Sequence, residues 1–504
     1  MPILNVSKNK LFWWISSFLT IFLCYQFYKA TNYGVGLSTD SIGYLEGARD
    51  ILKNFNLKGI GTHYPPLYFI LIAMTGLITG DALEALRWLQ LCIIALSFII
   101  FALIIWKGTN KTLLPAITFL LLFITSKPVL YIYTMAWSEG LFCLLALLGF
   151  YFLVNYLEDK NAPLYFLAFS ALFIGLGFLT RYVGITLVIT GIIAIVLYTK
   201  GNLKKRIVHC FFFSFLSLIP MFLWVGRNWL TSSEATSRRL VVHIIPMEKI
   251  QAGVDVLLNW LFISSDYPFT LLTIITLLVA ISYTISMRNI YLNKTVEVCF
   301  IFIFTYISFL IISISLFDAH TPLDERILFP VYLFFILGIS LLCYRAYSEK
   351  NIRSAGLFMI FIIIIACYNQ NKLQQEYIFY AHANGIGFSN KKWVKSSILQ
   401  WVKKLPQNTI IFTNGPDAVK IIANRSSKMI PRLSSPLDQI KNKNFERDIK
   451  NMVHELSGNK GVIVYLSDIN WRWYLPTAKQ LSQVIPLKII YKSNDGVALE
   501  IQTK

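Results

Sequence analysis

Asp40 stands in Thr39-Asp40-Ser41-Ile42-Gly43-Tyr44, and His63-Tyr64-Pro65-Pro66-Leu67-Tyr68 follows in the same loop. A positioned carboxylate suits general-base work on a hydroxyl and typically contributes about 10²–10⁴-fold to a rate. More acids recur in alternate connections along the chain: Glu139, Asp266, Asp318, Asp324 and Glu325. Clusters of Lys and Arg fill the connections in between, among them Lys107, Lys111, Lys204, Lys205, Arg206, Arg345 and Arg353. Acids therefore collect on one face and bases on the other, which places the candidate chemistry on a single side of whatever separates them.

That separator is a bilayer. The 504 residues are 56% apolar with a mean hydropathy of +0.59, far from the balance of a soluble domain. Beginning with Leu11–Ala30, apolar runs recur at about 82–106, 113–132, 137–156, 163–180, 183–199, 207–226, 269–287, 297–317, 327–344 and 355–370. Most are long enough for roughly 30 Å of hydrocarbon. The pattern predicts a mainly α polytopic membrane protein of about eleven transmembrane helices. The tight turn at Thr180-Arg181-Tyr182 makes its two flanking helices suspect as full crossings. The net charge of +20 follows the positive-inside rule and does not point to nucleic acid. It sets the N-terminus in the cytoplasm and the acidic loops outside. All seven cysteines lie in apolar segments without Cys-x-x-Cys spacing, so neither a disulfide framework nor a thiolate metal site is indicated. No His pairing of zinc-site type occurs.

Within the first loop, Ser41 to Lys53 reads as an amphipathic helix with Ile42, Leu45, Ala48, Ile51 and Leu52 on one side. Pro65 and Pro66 open a second juxtamembrane helix over 67–80, short for a crossing and suited to the interface. Residues 1–371 thus form a multi-helix membrane domain. Residues 372–504 lack a spanning run and read as a small extracytoplasmic α/β domain. In it, Lys391–Lys404 is an amphipathic helix, Thr409–Thr413, Gly461–Leu466 and Val497–Ile501 are strands, and Asn414-Gly415-Pro416 is a strand-to-helix turn.

The chain resembles the C-type glycosyltransferases, which include the protein O-mannosyltransferases, the lipid A aminoarabinose transferases and many bacterial relatives. Asp40 with Tyr44 matches the acidic motif of their first outer loop. Tyr64-Pro65-Pro66-Leu67-Tyr68 is similar to their Pro-Pro juxtamembrane helix, and Trp137-Ser138-Glu139 to the acid-bearing start of a later span. Thr180-Arg181-Tyr182, Arg227-Asn228 and Arg326 with Pro330 resemble later positively charged positions. Two departures stand out: Ser41 replaces the Glu that follows the loop Asp in many protein mannosyltransferases. His63-Tyr64 also precedes the Pro pair where the aminoarabinose transferases place Lys. The class carries over; neither subfamily's activity does.

The resemblance implies hexosyl or pentosyl transfer from a polyprenyl-phosphate sugar to a protein, lipid or glycan acceptor, with inversion, at the outer face of a bacterial plasma membrane. It serves cell-envelope glycosylation. Asp40 is then the base and Glu139 a second catalytic acid. Tyr44, His63, Tyr64, Arg181, Arg227 and Arg326 are substrate-binding, the arginines for the departing phosphate. Each has a plainer rival. Asp40 also suits an N-cap of its helix, Glu139 a solvating or capping role, and any single Arg snorkelling to headgroups. A divalent cation bridging Asp40 and Glu139 stays open. The alternatives in function are a polytopic transporter or lipid-linked sugar flippase, and a non-catalytic partner subunit. A transporter needs ionisable groups or broken helices near the midplane, whereas these spans carry their charges at the ends.

Overall fold

The computed structural model describes residues 2–159, 161–232, 236, 238–260, 294–437, 439–458 and 461–502. The expected span at 269–287 and Asp266 lie outside them. The apolar runs form helices α1 (Pro2–Ala30), α2 (Thr39–Asn54), α3 (Leu67–Thr79), α4 (Ala82–Gly108), α5 (Leu113–Ile124), α6 (Lys127–Thr134) and α7 (Glu139–Glu158). They continue as α8 (Leu164–Phe178), α9 (Ile185–Tyr198), α10 (Leu203–Ser232), α11 (Met247–Trp260), α12 (Lys294–Leu316), α13 (Phe329–Ser348) and α14 (Arg353–Asn384). Among the described residues seven helices are long and apolar enough to cross a membrane, or eight if α5 and α6 count as one bent span. The chain is an integral, multi-pass membrane protein.

Three expected crossings differ. α8 and α9 have 15 and 14 residues, about 22 Å each at 1.5 Å per residue, short of the hydrocarbon thickness. The run at 113–132 bends by 50°. Its break falls where Ser126 starts a new helix, its side chain accepting from Val129 N with a proline in the first turn. The backbone groups freed by the bend find side-chain partners. Gln374 Nε2 of α14 donates to Ile124 O (2.8 Å) and Ser126 O (3.1 Å), while Gln370 Oε1 accepts from Lys127 N at 3.2 Å. A kink so satisfied is a built feature.

α2 and α3 form as the first loop's pattern predicts, and α3 packs between α2 and α4. Ser38, not Asp40, is the N-cap of α2, in a reciprocal box with Ser41. Asp40 is thereby free of the capping role. Two isolated parallel bridges tie this loop to the rest: Gly36 with Met135, and Leu37 with Gly387. Gly36 N donates to Thr134 O, Ala136 N to Gly36 O, and Phe388 N to Leu37 O. Gly387 has φ +54 and approaches so closely that a Cβ would lie 2.2 Å from Leu37 O, which excludes other residues there.

α14 is continuous for 32 residues and carries the chain past residue 371 into the mixed region. There α15 (Lys391–Val394) and α16 (Ser397–Lys404) replace the single helix expected at 391–404. Ser396 breaks it by capping α16 through Leu399 N. Trp401 stacks on Tyr491 at 5.1 Å, so that ring packs on its own region rather than on lipid. The sheet comprises β1 (Ile411–Thr413), β2 (Lys428–Met429), β3 (Val462–Leu466), β4 (Leu487–Ser493) and β5 (Gly496–Ile501) in the order β2-β1-β3-β5-β4. β2, β1 and β3 run parallel, and β5 pairs antiparallel with β3 and β4. α17 (Pro416–Ala423), α18 (Phe445–Gly458) and α19 (Ala478–Val484) complete it.

Candidate active site

Three loops remote in sequence converge at one end of the bundle. The capping box fixes the first turn of α2 and with it Asp40; the loop after α6 delivers Trp137, Ser138 and Glu139; the loop before α13 delivers Arg326. Arg326 Nη2 pairs with Asp40 Oδ2 at 2.7 Å, and its Nε pairs with Glu139 Oε1. Arg181, in the turn between α8 and α9, places Nη1 2.6 Å from the same Glu139 oxygen and donates to Ser138 Oγ at 3.2 Å. Two carboxylates and two guanidiniums thus alternate in one chain. The Arg326 guanidinium also lies 4.5 Å over the Trp137 ring, a stacking that suits Arg's flat, weakly hydrated head.

The two acids differ. Glu139 is 1% exposed and its Oε2 has no hydrogen-bond partner among the described residues. The Asp40 side chain is 26% exposed and receives the Tyr64 hydroxyl at 2.7 Å. Burial alone would raise the Asp40 carboxyl. The Arg326 charge and the hydrogen bonds from Tyr64 and Arg326 more than offset it and hold Asp40 below the ordinary aspartate range. Burial and the neighbouring Asp40 push the Tyr64 phenol up, so it stays a donor. Burial, with the Arg238 charge nearby, pushes the His63 imidazole down; it is neutral at neutral pH. His63 sits edge-on to Tyr64, ring centroids 4.4 Å apart.

Tyr44 is buried beneath Asp40. Its hydroxyl shares a 3.0 Å hydrogen bond with Ser138 Oγ, and its ring packs against Tyr64, Tyr68 and Phe69. Arg227 is set apart from the charged chain. It donates to Ile60 O (3.1 Å) and Leu57 O (2.5 Å) and covers the Trp224 ring at 4.7 Å, so it fastens the first loop to α10. Arg326 bridges Asp40 and Glu139 in this structure. Among the described residues no three His, Cys, Asp or Glu side chains converge as metal ligands.

Sequence reasoning missed the supports. Gln90, fully buried, donates to Tyr68 OH (3.0 Å), Met135 O (2.7 Å) and Trp137 O (2.8 Å), fixing the segment that leads into Glu139. Trp137 Nε1 donates to Ser38 Oγ at 2.8 Å, joining the second acid's loop to the cap of the first acid's helix. The Ser38–Ser41 spacing was a readable capping signal; a lone Gln in an apolar run gave none.

A family model described as dolichyl-phosphate-mannose-protein mannosyltransferase matches residues 63–224, a stretch that holds Tyr64, Glu139 and Arg181. Among curated proteins, none matches the chain by sequence. Solved structures do. ArnT of Cupriavidus metallidurans, crystallised with undecaprenyl phosphate, superposes with a TM-score of 0.60 at 11% identity, over 96% of this chain and 97% of that one. The apo oligosaccharyltransferase of Archaeoglobus fulgidus gives 0.57 at 10% identity, over 97% and 74%. The mycobacterial arabinofuranosyltransferase AftD gives 0.52 at 12%, over 97% and 40%. The fold is that of the C-type membrane glycosyltransferases, as the motifs of the first loop suggested.

Proposed function

We propose that this protein transfers a sugar from a polyprenyl-phosphate donor to an acceptor hydroxyl at the extracytoplasmic face, with inversion at the anomeric carbon. The observation that carries the reading is the alternating chain Asp40–Arg326–Glu139–Arg181 at one end of the bundle, with its most exposed carboxylate at the rim. Similarity to a structure that holds undecaprenyl phosphate supports the donor class. The segregation of acids and bases along the sequence supports the side.

Asp40 accepts the proton of the acceptor hydroxyl as the oxygen attacks the anomeric carbon. The bond from that carbon to phosphate breaks, and polyprenyl phosphate leaves with the electron pair. One guanidinium about 4 Å from a phosphate charge offers roughly 4 kcal/mol at an effective dielectric near 20. Arg326 meets that need at the cost of its hold on Asp40. A donor phosphate that draws Arg326 away removes the charge that depresses Asp40's basicity, so donor binding readies the base. Glu139 keeps Arg326 and Arg181 in register, Tyr64 orients Asp40, and Tyr44 and His63 shape the floor and wall. Arg227 positions the first loop.

The test is turnover of radiolabelled polyprenyl-phosphate hexoses and pentoses by purified protein with native membrane extract as acceptor. Asp40→Asn is expected to lower the rate about 10²–10⁴-fold. Equal turnover by wild type and variant removes Asp40 from the base role.

A further inference from the structure

The mixed region has a topological switch point. From β1 the chain crosses through α17 to β2 on one side, and β3 lies on the other side of β1. In open α/β sheets the crevice beyond the carboxyl ends of such strands is where ligands bind. Here the loop after β3 covers it. Asn414 pins that loop by donating to Leu466 O (2.9 Å) and Ile469 O (3.1 Å) and accepting from Leu466 N (2.8 Å). Arg472, 4% exposed, reaches inward to Asn414 O at 2.7 Å and pairs with Asp417. Its two neighbours remain accessible to solvent: Trp471, whose ring lies 4.7 Å from the Arg472 guanidinium, is 45% exposed and Trp473 is 50% exposed.

This region of the sheet touches the elements that carry the candidate active site. Trp473 lies 6.5 Å, ring to ring, from His320, in the loop that also carries Arg326. Ala319 N of that loop donates to Leu437 O. Lys420 of α17 pairs with Glu46 of α2 at 3.5 Å, on the helix that carries Asp40. Two half-exposed indoles flank a buried, pinned arginine and present apolar surface; beside them Asn470 is exposed, Arg432 lies over the Tyr474 ring at 5.6 Å, and the partly exposed Asp417 pairs with Arg472. That combination fits a saccharide, whose C–H face rests on an aromatic ring while its hydroxyls need hydrogen-bond partners. A lipid-inserted pair would be ringed by apolar side chains instead.

We infer that Trp471 and Trp473 form an aromatic platform for the saccharide portion of the acceptor, from which a hydroxyl is presented to Asp40. The inference rests on the transferase reading and names its acceptor class. The experiment uses the full chain in lipid nanodiscs, with mannotetraose, cellotetraose and chitotetraose as probes, read by saturation-transfer NMR. At least one tetrasaccharide is expected to bind wild type, and Trp471→Ala with Trp473→Ala to weaken it about tenfold, as for an aromatic hot spot. Phe at both positions restores binding, which a folding defect would not do. The inference is overturned if no probe binds wild type, or if the Ala pair binds as well as wild type. It is equally overturned if brominated acyl chains quench the fluorescence contributed by these two indoles, which would place them in the bilayer. Binding that depends on the indoles together with full turnover by Asp40→Asn would keep the platform and remove the base. The converse result would keep the base and remove the platform.

Discussion

Asp40 and Glu139 share one arginine and live in different surroundings. Glu139 is sealed at the start of α7 and takes two guanidiniums on a single oxygen; Asp40 sits at the rim with a phenol and one edge of Arg326. The difference separates holding from reacting. A buried carboxylate clasped by two cations is a good anchor. One that keeps an open side, and whose cation has somewhere else to go, can take a proton when the substrate arrives.

Experiments that break the pair should expose this asymmetry. The largest expected effect is Glu139→Gln, which strands two guanidiniums and is expected to cost about 3–5 kcal/mol of stability, the usual result of removing one partner of a buried ion pair. Thermal unfolding in detergent measures it, and Asp40→Asn measured alongside should lose far less. Arg326→Lys comes next: a lysine cannot span both acids, so donor turnover should fall about 10²-fold or more while the protein still folds. Tyr64→Phe removes one hydrogen bond to Asp40. Because that bond helps hold the carboxyl down, the acid limb of the pH–rate profile should move to higher pH and the rate drop about tenfold. In wild type the acid limb of the kcat/KM profile, which reports the free enzyme, should lie below the pH at which an ordinary aspartate titrates, since Asp40 must be ionised to act. Away from the charged chain, Gln374→Leu leaves the carbonyls at the α5–α6 bend without their donor. It is expected to cost about 1–3 kcal/mol in stability, with the charged chain intact.

Much of this was legible beforehand, for identifiable reasons. Hydropathy locates the long helices because a bilayer demands uninterrupted apolar length. The apolar side of α2 is visible because Ile42, Leu45 and Ala48 recur at helical spacing. The bend after α5 was overlooked although Ser126-Lys127-Pro128 is a helix-start signature, because the flanking run stays apolar and masks it. The split at Ser396 was passed over in the same way. What no local pattern carried is the meeting of Asp40, Glu139, Arg181 and Arg326. Their spacing in space is set by packing among α2, α7, α8 and α13, and a guanidinium in a loop looks the same whether it faces lipid, phosphate or a buried acid. The contacts of Arg227 with the carbonyls of Leu57 and Ile60 are likewise invisible in a linear reading.

Gly36 and Leu37, just before α2, make isolated bridges to Met135 on one flank and to Gly387 on the other. The polypeptide leaving α14 therefore packs against the backbone that leads into the helix of Asp40. A chimaera that exchanges the C-terminal part with that of a relative should keep its junction beyond Asn390. Cutting nearer residue 371 would place a foreign segment against the backbone that leads into the helix of Asp40.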